Sequence, residues 1–150
     1  SLDPGDDPDE RWRDGRLLPL LRQVDVFLPN EREALAIAGT DNVDDALRIL
    51  SELGPLVVIK RGPAGATAKV QDGPVVQGQG FVVDAVDTTG AGDSFDAGFL
   101  HAHFIRRLPL EESLRIGNAC GAMSTQGVGG TGTQATPDEL DVFLQGHPEG

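Results

Sequence analysis

Apolar positions along this chain follow two alternating rhythms, and they predict alternating strands and helices. Val24-Asp25-Val26-Phe27-Leu28 is a short apolar run closed by Pro29, the pattern of a strand. Asn30 opens a helix through Ala38 that Gly39 stops, since Asn caps a helix start and Gly accepts the left-handed turn at its end. Val43, Ala46, Leu47, Leu50 and Leu53 stand at helical spacing, which predicts a second helix over 43–53, ended by Gly54-Pro55. Leu56-Val57-Val58-Ile59-Lys60 is uninterrupted and β-rich, as expected of a strand buried on both faces. After the turn Arg61-Gly62-Pro63-Ala64-Gly65, two strands over 66–70 and 75–77 join across Asp72-Gly73, a hairpin signal. Phe81-Val82-Val83 predicts one more strand, which leads into a glycine loop and a helix with Phe95, Phe99, Leu100 and Phe104 on one side. Leu108-Pro109 breaks that helix. The next, over 110–125, carries Leu114, Ile116, Ala119, Cys120 and Met123 on its apolar side. Gly117 and Gly121, four apart, allow close packing against a neighbour. Thr136-Pro137-Asp138-Glu139 starts a last helix with Leu140, Val142, Phe143 and Leu144.

The ends are simpler. Ser1-Leu2-Asp3-Pro4 reads as the tail of a strand leaving the sheet, and 5–10 as an acidic loop. A short helix over 11–21 has Leu17, Leu18, Leu20 and Leu21 as its apolar side and is interrupted by Pro19. Residues 146–150 read as a frayed tail. Alternating strands and helices with an inserted hairpin predict an α/β fold, layered, with a mainly parallel sheet.

Composition narrows the function. The 150 residues have room for one domain with a real core. Hydrophobic residues make up 39%, and no apolar run approaches the ~20 residues of a membrane span, so a membrane partner is not expected. A formal net charge of −12 argues against a nucleic-acid polymer as partner. A nucleotide stays open, because a local nest of N–H groups outweighs a distant acidic surface. Cys120 is the only cysteine. It cannot form an intrachain disulfide, and it fits the expectation of a cytoplasmic protein.

Candidate chemistry concentrates in Val86-Asp87-Thr88-Thr89-Gly90-Ala91-Gly92-Asp93-Ser94-Phe95. A helix start exposes unpaired N–H groups and a partial positive charge, and Gly90 and Gly92 let an anion approach the backbone. Asp93 falls in the first turn beside that anion, placed to accept a proton. Cradle plus base suggests phosphoryl transfer to a hydroxyl. A dinucleotide fingerprint would need a third glycine where Phe95 stands, and no Gly-Lys pair serves a Walker loop. A serine-hydrolase elbow would need glycines around Ser94 that are absent, and neither His101 nor His103 is an obvious base. Both histidines read as surface or rim residues, and Asp96 as a solvated helix residue. Asn30 and Glu33 have two compatible readings. They stand at capping-box spacing, and they lie where an open α/β sheet keeps its ligands and so could hold a hydrated metal.

Asp87-Thr88-Thr89-Gly90-Ala91-Gly92-Asp93-Ser94-Phe95 resembles the signature of the ribokinase-like (PfkB) carbohydrate kinases. Leu28-Pro29-Asn30-Glu31-Arg32-Glu33 resembles the family's Asn-x-x-Glu motif, and 59–66 its strand and turn beside the nucleotide. Gly117-Asn118-Ala119-Cys120-Gly121-Ala122 resembles its late helix, so the resemblance spans nearly the whole chain. The resemblance implies an α/β/α fold and ATP-dependent phosphorylation of a small-molecule sugar. Asp93 would be the base, and the N–H groups of Gly90, Ala91, Gly92 and Asp93 the anion hole. Asn30 and Glu33 would organise Mg²⁺ and its waters. Lys60, Gly62 and Asn118 would lie around the nucleotide. Asp87 and Thr89, with carbonyls near Gly127 and Thr131, would hold a monovalent cation such as K⁺, although the glycine-rich loop over 127–134 is longer than the family pattern. Family members run to about twice this length, with sugar site and lid mostly in their N-terminal half. The expectation is therefore a C-terminal, nucleotide-binding and catalytic part without the sugar-binding and lid part, or a nucleotide-binding module that catalyses nothing alone. A homodimer of the intact protein through its lid is a further implication.

Overall fold

The structure is a computed structural model that describes residues 1–7, 11–13, 16–130 and 132–148. Parts of the expected acidic loop and frayed tail therefore lie outside the described residues. Contacts divide the chain into two units, Ser1–Arg61 with Thr67–Val76, and Gly62–Ala66 with Gln77–Gly150. The sheet order is β1 (Val26–Phe27), β2 (Leu56–Lys60), β3 (Ala66–Val70), β4 (Val76–Gly78). No helix among the described residues is long and apolar enough to cross a membrane.

In the first unit β1 and β2 pair in parallel, Val26 opposite Leu56 and Phe27 opposite Val57. Leu2 bridges to Phe27, also in parallel, as expected of a strand tail. The first four residues of β2 are buried, as a strand covered on both faces should be. Helices α1 (Leu17–Leu21), α2 (Glu31–Ala38) and α3 (Val43–Ser51) surround them. Leu21, Phe27, Ile37, Leu47, Leu50, Val57 and Ile59 form the core. Each such side chain, when fully buried, contributes about 1.5–3 kcal/mol. Pro19 does not interrupt α1, contrary to expectation. It is the third residue of the helix, where the N–H it lacks would have had no partner one turn earlier.

The second unit is built on α4 (Ala91–Leu100) packed along α5 (Leu110–Ser124), with α6 (Pro137–Gly146) closing it. Close packing follows from glycine, as the spacing predicted. A Cβ at Gly117 would lie 3.0 Å from the Phe95 ring, and one at Gly121 would lie 3.2 Å from the Ala91 carbonyl. The expected side of α4 is only partly right. Phe95 and Phe99 are buried, but Phe104 is 43% exposed. Helical spacing explains this: nine residues after Phe95, Phe104 falls about 180° around the helix from it, whereas Ala102, seven residues after Phe95, falls on the same side. Residues His101–Ile105 also wind as a π-helical turn. Ala102 takes the buried place instead.

Residues 81–86 are not a strand either. Val82 is 90% exposed, and the N–H groups of Val86 and Asp87 both donate to the Thr125 carbonyl, at 2.7 and 3.1 Å. The end of α5, not a neighbouring strand, satisfies that backbone. Phe81 alone is anchored. It meets the Phe143 ring edge-on at 5.1 Å, and the Arg115 guanidinium lies 6.0 Å from its centre.

Two backbone segments of this unit cross where no side chain fits. A Cβ at Gly65 would lie 2.0 Å from the Gly78 carbonyl oxygen and 2.6 Å from the Gly80 nitrogen, and Gly65 has φ +85°. Gly65→Ala is expected to lower unfolding free energy by about 3 kcal/mol or more. Denaturant melts check this, and a loss below ~1 kcal/mol would mean the crossing is loose.

Candidate active site

Gly90 precedes α4 in the left-handed conformation, φ 75° and ψ 4°, and no side chain caps the helix. The first intrahelical bond runs from the Ser94 N–H to the Gly90 carbonyl at 2.9 Å. Gly92 and Asp93 occupy the second and third helical positions, where an N–H has no partner one turn earlier. The Ala91 N–H is already engaged by the Thr88 carbonyl, at 3.2 Å. Asp93 is exposed in the first turn, and no ion pair among the described residues holds it. The arrangement can receive an anion on backbone donors with a carboxylate alongside. His101 is exposed and His103 half-buried, stacked on Phe99 at 5.5 Å.

Asp87 ties this loop to the glycine-rich loop that follows α5. Its Oδ1 accepts from the Thr89 N–H at 2.9 Å and its Oδ2 from the Gly129 N–H at 3.0 Å. These two backbone donors, and after them the Thr89 hydroxyl, hold its carboxyl below the ordinary aspartate range. Gly130 lies against Gly90, so the glycine loop wraps the anion loop. Thr131, expected to offer a carbonyl to a monovalent cation, lies outside the described residues. A lowered carboxyl contributes stability above its unfolded value, and the contribution is lost as pH falls through the folded one. The Gly129 amide resonance should therefore titrate with a midpoint below ~3.9. A midpoint at or above that value would mean the clamp is not formed.

In the first unit, Asn30 and Glu33 form a complete capping box. The Glu33 N–H donates to Asn30 Oδ1 at 2.9 Å and the Asn30 N–H to Glu33 Oε2 at 2.8 Å. Glu33 is buried, and burial pushes its carboxyl above the usual range, partly offset by the Asn30 N–H. Lys60 joins this group, bridging Asn30 through the backbone and pairing its Nζ with Asp3 at 2.7 Å. The box leaves Glu33 Oε1 unspent as an acceptor. That suits an ion held mainly through its own waters, as Mg²⁺ is. No cluster of three or more His, Cys, Asp or Glu among the described residues could hold a metal.

In the second unit Asn118 is buried, and its Nδ2 donates to the Gly78 and Gln79 carbonyls at 3.2 and 2.9 Å. Gly62 has φ +56°, and a Cβ there would meet nothing within 4 Å. The structure thus brings Asp87, Thr89 and Gly90 together with 129–130, and Asn30 and Glu33 together with Lys60. Sequence reasoning missed the Asp87–Gly129 clamp and the crossing of Gly65 with Gly78 and Gly80. The unusual glycine content was the available signal for the crossing.

Residues 6–137 match the pfkB family of carbohydrate kinases. A cytidine kinase of Thermococcus kodakarensis is 44% identical over 105 residues, covering 67% of this chain and 37% of the relative. An ATP-dependent ribose-1-phosphate kinase of Halopiger xanaduensis is 37% identical over 139 residues, covering 92% of this chain and 45% of the relative. The chain thus spans less than half the length of these two curated relatives. Among solved structures, a chain described as a ribokinase II from E. coli, in complex with ATP and Mg²⁺, superposes with a TM-score of 0.86 at 27% identity, over 98% of this chain and 48% of that one. The open α/β fold is that of the ribokinase-like kinases, and the chain belongs to the pfkB family of carbohydrate kinases.

Proposed function

We propose that this chain is the nucleotide-binding and catalytic part of an ATP-dependent kinase that phosphorylates a sugar hydroxyl. The observation that carries the reading is the uncapped start of α4 behind a left-handed Gly90, with Asp93 exposed in its first turn. Asp93 takes the proton of the acceptor hydroxyl as that oxygen bonds to the γ-phosphorus. The bond to the β,γ-bridging oxygen breaks, and ADP leaves with the electron pair. The N–H groups of Gly90, Gly92 and Asp93 receive the charge that develops on the phosphoryl oxygens. Ala91 joins them only by releasing the Thr88 carbonyl.

Mg²⁺, when bound, neutralises phosphate charge, and Asn30 and Glu33 orient its waters. Lys60 in the first unit, and Gly62 and Asn118 in the second, are the residues the family resemblance assigns to the nucleotide. Asn118 keeps its side-chain oxygen beyond its two donated bonds. Asp87 and Thr89, with carbonyls of the glycine loop, hold a monovalent cation such as K⁺.

A second reading, a nucleotide-binding module inert by itself, draws on the coverage of less than half of the two relatives. Calorimetry with ATP-Mg, paired with ATP consumption over a panel of sugars and nucleosides, separates the two. Acceptor-dependent ADP release by the 150 residues supports the kinase reading for the chain itself. Saturable binding without turnover supports the module. No binding and no turnover would overturn both.

A further inference from the structure

The turn from α4 into α5 carries a surface that the kinase reading does not use. Phe104 is 43% and Ile105 72% exposed, next to each other on the π-helical turn. Arg106 and Arg107 follow, then Glu111 and Glu112 in the first turn of α5, all four exposed. None of these four is engaged in an ion pair among the described residues. The support beneath them is fixed. The Arg106 N–H donates to the His101 carbonyl at 2.9 Å and the Leu108 N–H to the Ala102 carbonyl at 3.1 Å. Buried Ser113 donates its hydroxyl to the Pro109 carbonyl at 2.9 Å. Arg107 is held at φ 58°, a conformation that persists only where surroundings impose it.

We propose that this turn is a self-association surface, and that its occupant is a second copy of this chain. Large apolar side chains ringed by charge mark interaction sites. The sign pattern selects the partner. Two arginines and two glutamates within seven residues are self-complementary. Under two-fold symmetry one patch meets its own image, and the arginines of each copy face the glutamates of the other. A nucleic acid or an anionic lipid surface would be repelled by the glutamates and by the net charge of −12. The side chains named, Phe104 to Arg107 with Glu111 and Glu112, are far fewer than the roughly 20–30 residues a side of a standard interface, so the dimer is weak and reversible. It is independent of the kinase reading and of any dimer made through a lid.

Sedimentation velocity over a concentration series tests it, with thermal melts confirming that each variant folds. The chain is expected to show a concentration-dependent monomer–dimer equilibrium. Ile105→Asp, R106E with R107E, and E111R with E112R should each raise the dimer dissociation constant by about tenfold or more. An equimolar mixture of the two charge-reversed variants should associate again, as a heterodimer. The glutamate reversal carries extra weight, because it lowers overall repulsion and yet is expected to weaken the dimer. A monomer at every concentration would overturn the proposal. So would a dimer that all three variants leave intact, or charge-reversed partners that do not restore each other.

Discussion

Asp93→Asn is expected to lower acceptor phosphorylation by about 10²–10⁴-fold, the range for loss of a positioned acid or base. Asparagine has the shape of aspartate but does not take up a proton at working pH. The substitution leaves the main chain untouched, so the N–H groups of Gly92 and Asp93 still point from the start of α4. Removing a negative charge beside a polyanion weakens binding in no way that Coulomb's law provides. ATP-Mg affinity should therefore be equal or tighter in the variant. Because Asp93 is exposed and unpaired by any ion pair among the described residues, the melting temperature should hardly move. Turnover assays, calorimetry and a thermal melt check the three parts. Near-normal turnover would remove Asp93 as the base. Lost ATP binding together with a lowered melting temperature would make its role structural.

Gly90→Ala should act on the cradle instead of the base. An alanine at φ 75° costs roughly 1–2 kcal/mol in backbone strain alone. Its Cβ would also stand 2.9 Å from Gly130 Cα and 3.0 Å from the Gly130 carbonyl oxygen. Both obstacles are main chain, so one of the two loops must move. The N–H groups of the cradle move with it, and ATP-Mg affinity is expected to fall by at least ~10-fold. Gly129→Ala is the control. Gly129 has φ +85°, but a Cβ there would meet nothing within 4 Å. It shares the strain and lacks the collision, so it should lose less stability than Gly90→Ala and keep most of the affinity. Calorimetry of both variants decides. Equal affinity in Gly90→Ala and the parent protein would mean that the shape of this loop does not matter to the nucleotide.

What was readable in advance is what local chemistry decides. The helix at Asn30 was legible because its cap, its acidic partner three residues on and its terminal glycine all lie within ten residues. The packing of α5 on α4 was legible because Gly117 and Gly121 remove the Cβ on one side of a helix. The pfkB signature was legible because the stretch 87–95 resembles it residue by residue and further segments resemble the family in the same order; the glycine spacing alone would also suit a structural turn. The misses depend on partners far along the chain, or on weighing a residue's size above its spacing. Phe81-Val82-Val83 has the composition of a strand, but β-propensity needs a neighbour to pair with, and further along the segment Val86 and Asp87 donate to the Thr125 carbonyl at the end of a helix instead of to a strand. Phe104 was placed by its size and not by its spacing: it lies nine residues after Phe95, on the opposite side of a helix, and Ala102, seven after Phe95, is the one buried. Asp87 and Gly129 are 42 residues apart, so their bond is a product of folding that no motif contains. Asn118 was expected by the nucleotide on family grounds. Its buried amide also supports the backbone at Gly78 and Gln79, a second demand on the same side chain.

The backbone cradle at the start of α4 is tested most directly by following the amide resonances of this chain during a titration with ATP-Mg. Gly92 and Asp93 should show among the largest shifts, moving downfield as their N–H groups take up phosphate oxygens, with a single saturation curve shared by Gly90. Saturable binding that leaves these three amides unmoved would contradict the account.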